Sequence, residues 1–344
     1  MSVDPTAPPA TSSGVAAPGA RSSIGGHTLD RVIGSGGTGV VWAGTDAKGC
    51  PVAIKLLRSG GSAAARDARL TRLRAVCAVT HANVATMLQV GSEGGRDYVI
   101  MERIEGQSVA DWLALQPAPR EVLATLLAAG RGLAAAHEAG VVHRNFTLHS
   151  VLRGPSGRVA VTDFGTALGQ LDPAAEKTTS AVAVAAGRAQ VGDGVAGRPP
   201  PRQQHALLDA ALSQGGVFVG TPGYMAPELF TGAAPDARSD QFAFCVAAWE
   251  AFSGQRPFHG ESLDELARAP VMAAPPGAAS LSPGMHRVLA RGLEADPARR
   301  WPDLPALLRE LARAEPPPRG RALTLAASVV ALACLVTLLA LLRC

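Results

Sequence analysis

The chain has 344 residues, of which 47% are hydrophobic and 17% charged, with a formal net charge of +4. That length admits one large two-lobed domain or two ordinary ones, and the hydrophobic share excludes a wholly disordered chain. Aromatic residues are only 4%, so a core must be assembled from Ala, Leu and Val.

The arginines are interleaved with Asp and Glu, the pattern of solvated helix faces, which predicts no nucleic-acid partner. Cys50, Cys77, Cys245, Cys334 and Cys344 are odd in number and share no CxxC spacing. They point to a reducing compartment and away from a disulfide framework or a zinc site.

Residues 1–25 are Pro, Ala, Ser and Gly without an apolar period, and a disordered tail is expected there. The stretch lacks the charged end and apolar run of a secretion signal, which places the folded part in the cytoplasm. From His27 to Arg103, short β-branched runs alternate with Gly turns: 29–33, 40–43, 52–56, 87–90 and 98–101. A helical stretch over 62–76 interrupts them. From Ser108 onward the pattern is helical, as in 122–137, whose Leu123, Leu126, Leu127 and Leu133 share a face before Gly140. The expected class is α+β, a strand-rich lobe followed by a helical one.

Residues 169–216, rich in Ala, Gly and Pro, read as a disordered insertion with a short helix at 204–212. A Pro/Arg linker follows at 315–321. Ala322 to Leu342 carries no charge and at 1.5 Å per residue spans roughly 32 Å, enough to cross a bilayer. Arg313, Arg319 and Arg321 precede it and only Arg343 and Cys344 follow. The expectation is a single-pass C-terminal anchor in the cell membrane, with the folded domain cytoplasmic and no outer sensor domain.

The first chemical signal is Gly34-Ser35-Gly36-Gly37-Thr38-Gly39-Val40-Val41. Glycines let backbone amides approach phosphates, and a following strand distinguishes this loop from dinucleotide folds, where a helix follows. Next comes Val52-Ala53-Ile54-Lys55, a lone lysine in an apolar strand, which calls for an anion. Lys55 is read as a ligand of the α- and β-phosphates. Asp163, in Val161-Thr162-Asp163-Phe164-Gly165, is a carboxylate at a strand end suited to Mg²⁺.

With His143-Arg144, with Gly220-Thr221-Pro222-Gly223-Tyr224-Met225-Ala226-Pro227-Glu228 and with Arg300-Trp301-Pro302, these motifs resemble the eukaryotic-like Ser/Thr protein kinases of bacteria over residues 26–314. The resemblance implies a β-rich N-lobe over 26–103, a helical C-lobe over 104–314, and ATP and Mg²⁺ as cofactors. It implies a nucleotide site that includes Ile33, Gly34, Gly36 and Gly39, with adenine between Val41, Ala53 and Leu152, Met101 behind it and Glu102 to Ile104 as the hinge. It also implies that Glu228 pairs with Arg300 and that Asp240 braces the catalytic-loop backbone.

The catalytic loop departs from that family. Where a kinase has His-Arg-Asp and, five residues on, Asn, this chain reads His143-Arg144-Asn145-Phe146-Thr147-Leu148-His149-Ser150. Asn145 stands at the base position, Thr147 at the lysine position and Ser150 at the metal asparagine. An amide is no base near neutral pH, a loss on the order of 10²- to 10⁴-fold. Counting back from His81, the glutamate that pairs with the strand lysine is Arg72, which leaves Asp67 as a substitute if the helix is longer by a turn.

The favoured reading is a membrane-anchored, ATP-binding pseudokinase that works by binding protein partners, such as other kinases or signalling proteins. The alternative is a weakly active Ser/Thr kinase, which the intact Lys55 and Asp163 keep open.

Overall fold

A computed structural model of the chain describes residues 22–58, 63–165, 221–260, 263–272 and 277–314. The expected insertion at 169–216, its helix at 204–212, the linker at 315–321 and the anchor at 322–342 lie outside the described residues, as do residues 1–21.

Among the described residues the N-lobe is a six-stranded antiparallel sheet in the order β1-β2-β3-β4-β6-β5. The strands are β1 (Ser23–Ile24), β2 (His27–Gly36), β3 (Gly39–Thr45), β4 (Pro51–Leu57), β5 (Met87–Glu93) and β6 (Arg96–Glu102). The last residues of the expected tail are thus part of the sheet. Ser23 pairs with Thr28 and Ile24 with His27, around Gly25 and Gly26, both at positive φ. Burial of the Ile24 side chain supplies the apolar contact that composition alone did not reveal.

The register sorts the sheet into two faces. Val41 opposes Lys55 and Lys55 opposes Val99, while Ala43 opposes Ala53 and Ala53 opposes Met101. All share one face, since residues two apart on a strand point the same way. Ala53, Val99 and Met101 join the main core there. The other face buries Val52, Ile54, Tyr98 and Ile100 with Ile24 in a cluster of its own.

Helix α1 (Ala63–Val76) packs Leu70, Leu73 and Val76 into the main core. Its first turn lacks an acidic residue, and Asp97 on β6 supplies the missing charge from outside. Arg66 holds Asp97 through Nε at 2.8 Å and Nη2 at 2.5 Å, and buried Arg69 reaches the same carboxylate at 3.0 Å. The two guanidinium groups hold the Asp97 carboxyl down to about 2.

The C-lobe is helical: α2 (Val109–Leu113), α3 (Pro119–Glu138), α4 (Pro227–Phe230), α5 (Ala237–Ser253), α6 (Leu263–Met272), α7 (Pro283–Gly292) and α8 (Leu304–Arg313). Helix α3 begins with Pro119 at its first position, and the Glu121 carboxylate accepts the Ala118 amide at 3.1 Å. Helix α5 is buried over most of its length, with Phe242, Phe244 and Trp249 inside, and is capped by Asp236 on the amides of Arg238 and Ser239 at 2.9 Å each. A second small sheet, β7 (Gln107–Ser108), β8 (Val151–Arg153) and β9 (Val159–Val161), lies between the lobes and presents Asp163 just beyond its last strand. Among the described residues no helix is long and apolar enough to cross a membrane.

Candidate functional site

The turn between β2 and β3 carries the glycines. Gly36 pairs with Gly39 across it, and Gly39 sits at φ 154° with its Cα against the Leu56 carbonyl, where a side chain would collide. Gly36 and Gly37 have no atom within 4 Å of where a Cβ would stand, so the loop leaves open space beside its backbone. Ile33 is 42% exposed, with Gly34 and Val41 close to it on the β2–β3 hairpin.

Lys55 is 2% exposed and points along the inner face of the sheet. Its Nζ donates to Asp163 Oδ1 at 2.7 Å, a bridge between residues 108 positions apart. A buried ammonium is tolerated only with such a partner. Asp67 is exposed on α1, so the substitute pairing with Lys55 does not form. Arg72 lies instead beside Gly165: a Cβ added to that glycine would be 3.9 Å from the Arg72 Cβ.

The catalytic loop is held from below by Asp240, whose carboxylate accepts the amides of His143 at 2.6 Å and Arg144 at 2.8 Å. It also meets His137 Nε2 at 2.9 Å. Arg144 and Asp163 both adopt positive φ, 72° and 67°. Such backbone costs on the order of 1–3 kcal/mol per residue and persists only where its surroundings fix it. Buried between Phe146 and Phe164, the His143 imidazole is pushed below its usual pKa by loss of solvent, against the pull of Asp240. The neutral ring then donates from Nε2 to the Thr162 carbonyl at 2.9 Å and accepts the Asn145 amide on Nδ1 at 3.3 Å.

The three altered positions are engaged within the protein. Asn145 Oδ1 accepts the Thr221 amide at 3.2 Å. Ser150 Oγ donates to the Thr147 carbonyl at 2.8 Å and accepts the Thr147 amide at 3.0 Å, while Thr147 Oγ1 accepts the His149 amide at 3.2 Å. Thr147 and Ser150 are both buried. For a divalent cation the donor set is therefore thin. Asp163 offers a carboxylate, but the Ser150 hydroxyl is turned into its own loop, and among the described residues no three His, Cys, Asp or Glu side chains cluster to hold a metal.

The side expected to take a purine is apolar. Ala53 and Met101 are buried, Val41 and Leu152 partly so, and the Thr162 hydroxyl donates to the Met101 sulfur at 3.4 Å. The Glu102 side chain points away to Arg158, which forks onto it at 2.7 and 3.0 Å, and to the Thr86 amide at 2.8 Å. Burial works against the Glu102 carboxylate, but these donors outweigh it and hold its pKa below the ordinary range. Glu102 therefore offers a ligand only its backbone, and Ile104, partly buried, follows in the same extended segment.

Arg300, buried, forks onto Glu228 with both bonds at 2.7 Å. Its remaining N–H groups reach the carbonyls of Glu294, Arg238 and Ala295. The motif resemblance anticipated both this pair and the bracing role of Asp240. His137, the third donor on Asp240, was missed, because the end of α3 carries no motif that points to it.

Residues 27–184 match the protein kinase domain family. The chain is 29% identical to the Ser/Thr protein kinase PknA of Mycobacterium tuberculosis over 288 residues, covering 80% of this chain and 58% of PknA. It is also 29% identical to PknL of the same organism over 317 residues, 86% of this chain and 70% of PknL. Pkn1 of Myxococcus xanthus shares 27% over 300 residues, 83% of this chain and 38% of Pkn1. The crystal structure of the M. tuberculosis PknI kinase domain superposes with a TM-score of 0.62 at 20% identity, covering 86% of this chain and 99% of that one. That likeness shows the fold. Residues 27–184 thus match a protein kinase domain, and the chain is similar to bacterial Ser/Thr kinases, spanning little more than half the length of PknA.

Proposed function

We propose that the chain is a membrane-anchored kinase-like protein that binds ATP and acts by binding other signalling proteins. The observation that carries this reading is the Ser150 hydroxyl closed onto both backbone groups of Thr147, in a loop whose base position holds an amide. Bound Mg-ATP would supply the phosphoryl group for transfer. Lys55 and the glycine turn are suited to its phosphates, Ala53, Leu152 and Met101 to its purine, and Asp163 to the cation. Neither Asn145 nor Ser150 offers what the transfer step needs, a proton acceptor and a second metal ligand. The alternative, a slow Ser/Thr kinase, draws its support from the Lys55–Asp163 pair.

The uncharged run Ala322 to Leu342 supports a single C-terminal anchor with the kinase domain in the cytoplasm. Removing 319–344 is expected to release the protein from washed membranes, and a product that still sediments with them overturns the anchor.

The nucleotide and the chemistry are tested in one preparation, by thermal shift with Mg-ATP and by transfer of labelled phosphate. A rise in melting temperature that Lys55→Ala abolishes, with negligible transfer, is expected. Transfer at rates typical of kinases, roughly 1–100 per second, that Asp163→Ala removes would overturn the pseudokinase reading in favour of the alternative.

A further inference from the structure

Two hollows lie side by side along α3 and share no residue with the candidate nucleotide site. The first, of about 510 Å³, is bounded by Thr125 and Ala128 of α3, by Arg153 and Arg158 of the β8–β9 hairpin, and by Asn83 of the loop before β5. The second, of about 440 Å³, lies between α3 and α8, with Leu127, Ala134, Pro305 and Leu308 in its wall. Arg131 lines both, and the loop that gives Asn83 to the first gives His81 to the second, so the two form one groove. Its lining runs from Glu121 to Glu138, which at 1.5 Å per residue is roughly 25 Å. An extended chain of about eight residues covers that distance.

The first hollow contains polar groups without partners. Thr125 is 4% exposed, yet its hydroxyl makes no hydrogen bond among the described residues. The Arg153 guanidinium stacks on Trp112 at 4.4 Å from the ring centre, and its Nε is buried without an acceptor. Buried polar groups are normally paired, so this pair calls for a ligand. The stack holds the guanidinium plane, and a planar acceptor therefore meets a fork that is already ordered.

The charge along the groove has one dominant sign. Arg131, Arg153 and Arg309 pair with no carboxylate among the described residues, whereas Glu121 is spent on the Ala118 amide. Arg158 already holds Glu102. Of the lining acids only Glu138 is left, at the far end. The ends of the chain itself do not complement this charge. Residues 1–21 contain one acid, Asp4, and residues 315–321 set Glu315 against Arg319 and Arg321.

We infer that the groove along α3 docks an acidic, extended segment of a partner protein, with carboxylates on Arg153 and Arg131 and an apolar side chain in the hollow between α3 and α8. A carboxylate matches a guanidinium fork with two charge-assisted hydrogen bonds, and one of its oxygens also accepts the Thr125 hydroxyl. Leu127, Ala134 and Leu308 offer the apolar residue a surface from which water is displaced. This goes beyond the proposed function without resting on the loss of phosphotransfer, since an active kinase would dock the same segment.

The test is fluorescence anisotropy on the full chain in a nonionic detergent, with labelled peptides of about eight residues. One alternates glutamate with leucine, one lysine with leucine, and one glutamate with serine. The glutamate–leucine peptide is expected to bind about tenfold more tightly than either of the others, and less tightly as salt rises. Arg131→Gln and Arg153→Gln should each weaken it about tenfold, and Thr125→Val several-fold, at unchanged melting temperature. Arg131 is exposed, so its variant still reports on the groove if loss of the Trp112 stack unsettles Arg153→Gln. Lys55→Ala should leave peptide binding intact while it removes the Mg-ATP thermal shift, which keeps a failure of the groove separate from a failure of the nucleotide site. The inference is overturned if the lysine peptide binds as well as the glutamate one, or if Arg131→Gln and Thr125→Val both keep full affinity.

Discussion

Arg300 holds Glu228 through two parallel hydrogen bonds of 2.7 Å each, between residues 72 positions apart, with its guanidinium plane over Phe242. Since its other N–H groups are spent on backbone carbonyls, no solvent molecule can replace the carboxylate cheaply. Glu228→Gln and Arg300→Lys are each expected to destabilise the domain by about 3–5 kcal/mol, because each leaves a buried charge or fork incompletely paired. Urea unfolding midpoints measure this. A shift no larger than that of an exposed pair such as Arg299 with Glu294 would refute it.

The Asp97 carboxyl, about 2 when folded against 3.8 unperturbed, makes α1 acid-sensitive in a defined window. A depressed folded value stabilises the protein above the unperturbed pKa, and that stability is lost as pH falls from about 4 toward 2. Asp97→Asn should cost about 2 kcal/mol near neutral pH, with the difference from the unmutated protein shrinking below pH 4. Denaturation curves at several pH values decide it. A difference independent of pH would mean that the carboxylate charge is irrelevant.

Gly39 and Gly36 lie opposite each other in the glycine turn but should respond differently to alanine. Gly39→Ala sets a side chain against the Leu56 carbonyl at a φ that L residues avoid, and should destabilise the fold by more than 1 kcal/mol. Gly36→Ala meets open space and should change stability by less than about 0.5 kcal/mol. Its methyl group intrudes where phosphates would approach, so weaker ATP binding at unchanged melting temperature is the expected signature.

Rebuilding the catalytic loop should be only partly successful. Asn145→Asp retains an oxygen for the Thr221 amide but leaves Ser150 and Thr147 closed on each other, so little phosphotransfer should appear. Asn145→Asp with Thr147→Lys and Ser150→Asn should recover more, since groups that act on one transition state are strongly non-additive. Breaking the buried Ser150 bonds should also lower stability by about 1–3 kcal/mol. Labelled transfer, with Asp163→Ala as the control against a contaminating kinase, reads the outcome. Full recovery by the single change would contradict this account of Ser150.

The strand cores were legible because β-branched runs between glycines report a pleated, half-buried surface. Their ends were not: β2 continues to Gly36 through residues of poor strand propensity, because pairing to β3 is made by the backbone. Strand β1 escaped notice since only two residues form it, and what fixes them is the turn at Gly25 and Gly26. Motif order anticipated Lys55 and Asp163 on one site, and counting from His81 identified Arg72. The mutual closure of Ser150 and Thr147 depends on side-chain rotamers, and the approach of Arg72 to Gly165 on a tertiary contact. Neither leaves a trace in spacing.

At the proposed nucleotide site, the direct bond between Lys55 and Asp163 would turn recognition into an exchange reaction. An arriving triphosphate must take the lysine from a carboxylate that already holds it, whereas adenosine can fill the apolar pocket without disturbing that pair. The chain should therefore discriminate weakly between adenosine and ATP when no divalent cation is present. A cation that engages Asp163 removes the competitor, so it should widen the gap by freeing the lysine as well as by its own charge. Selectivity for the triphosphate then becomes a reading of cation concentration.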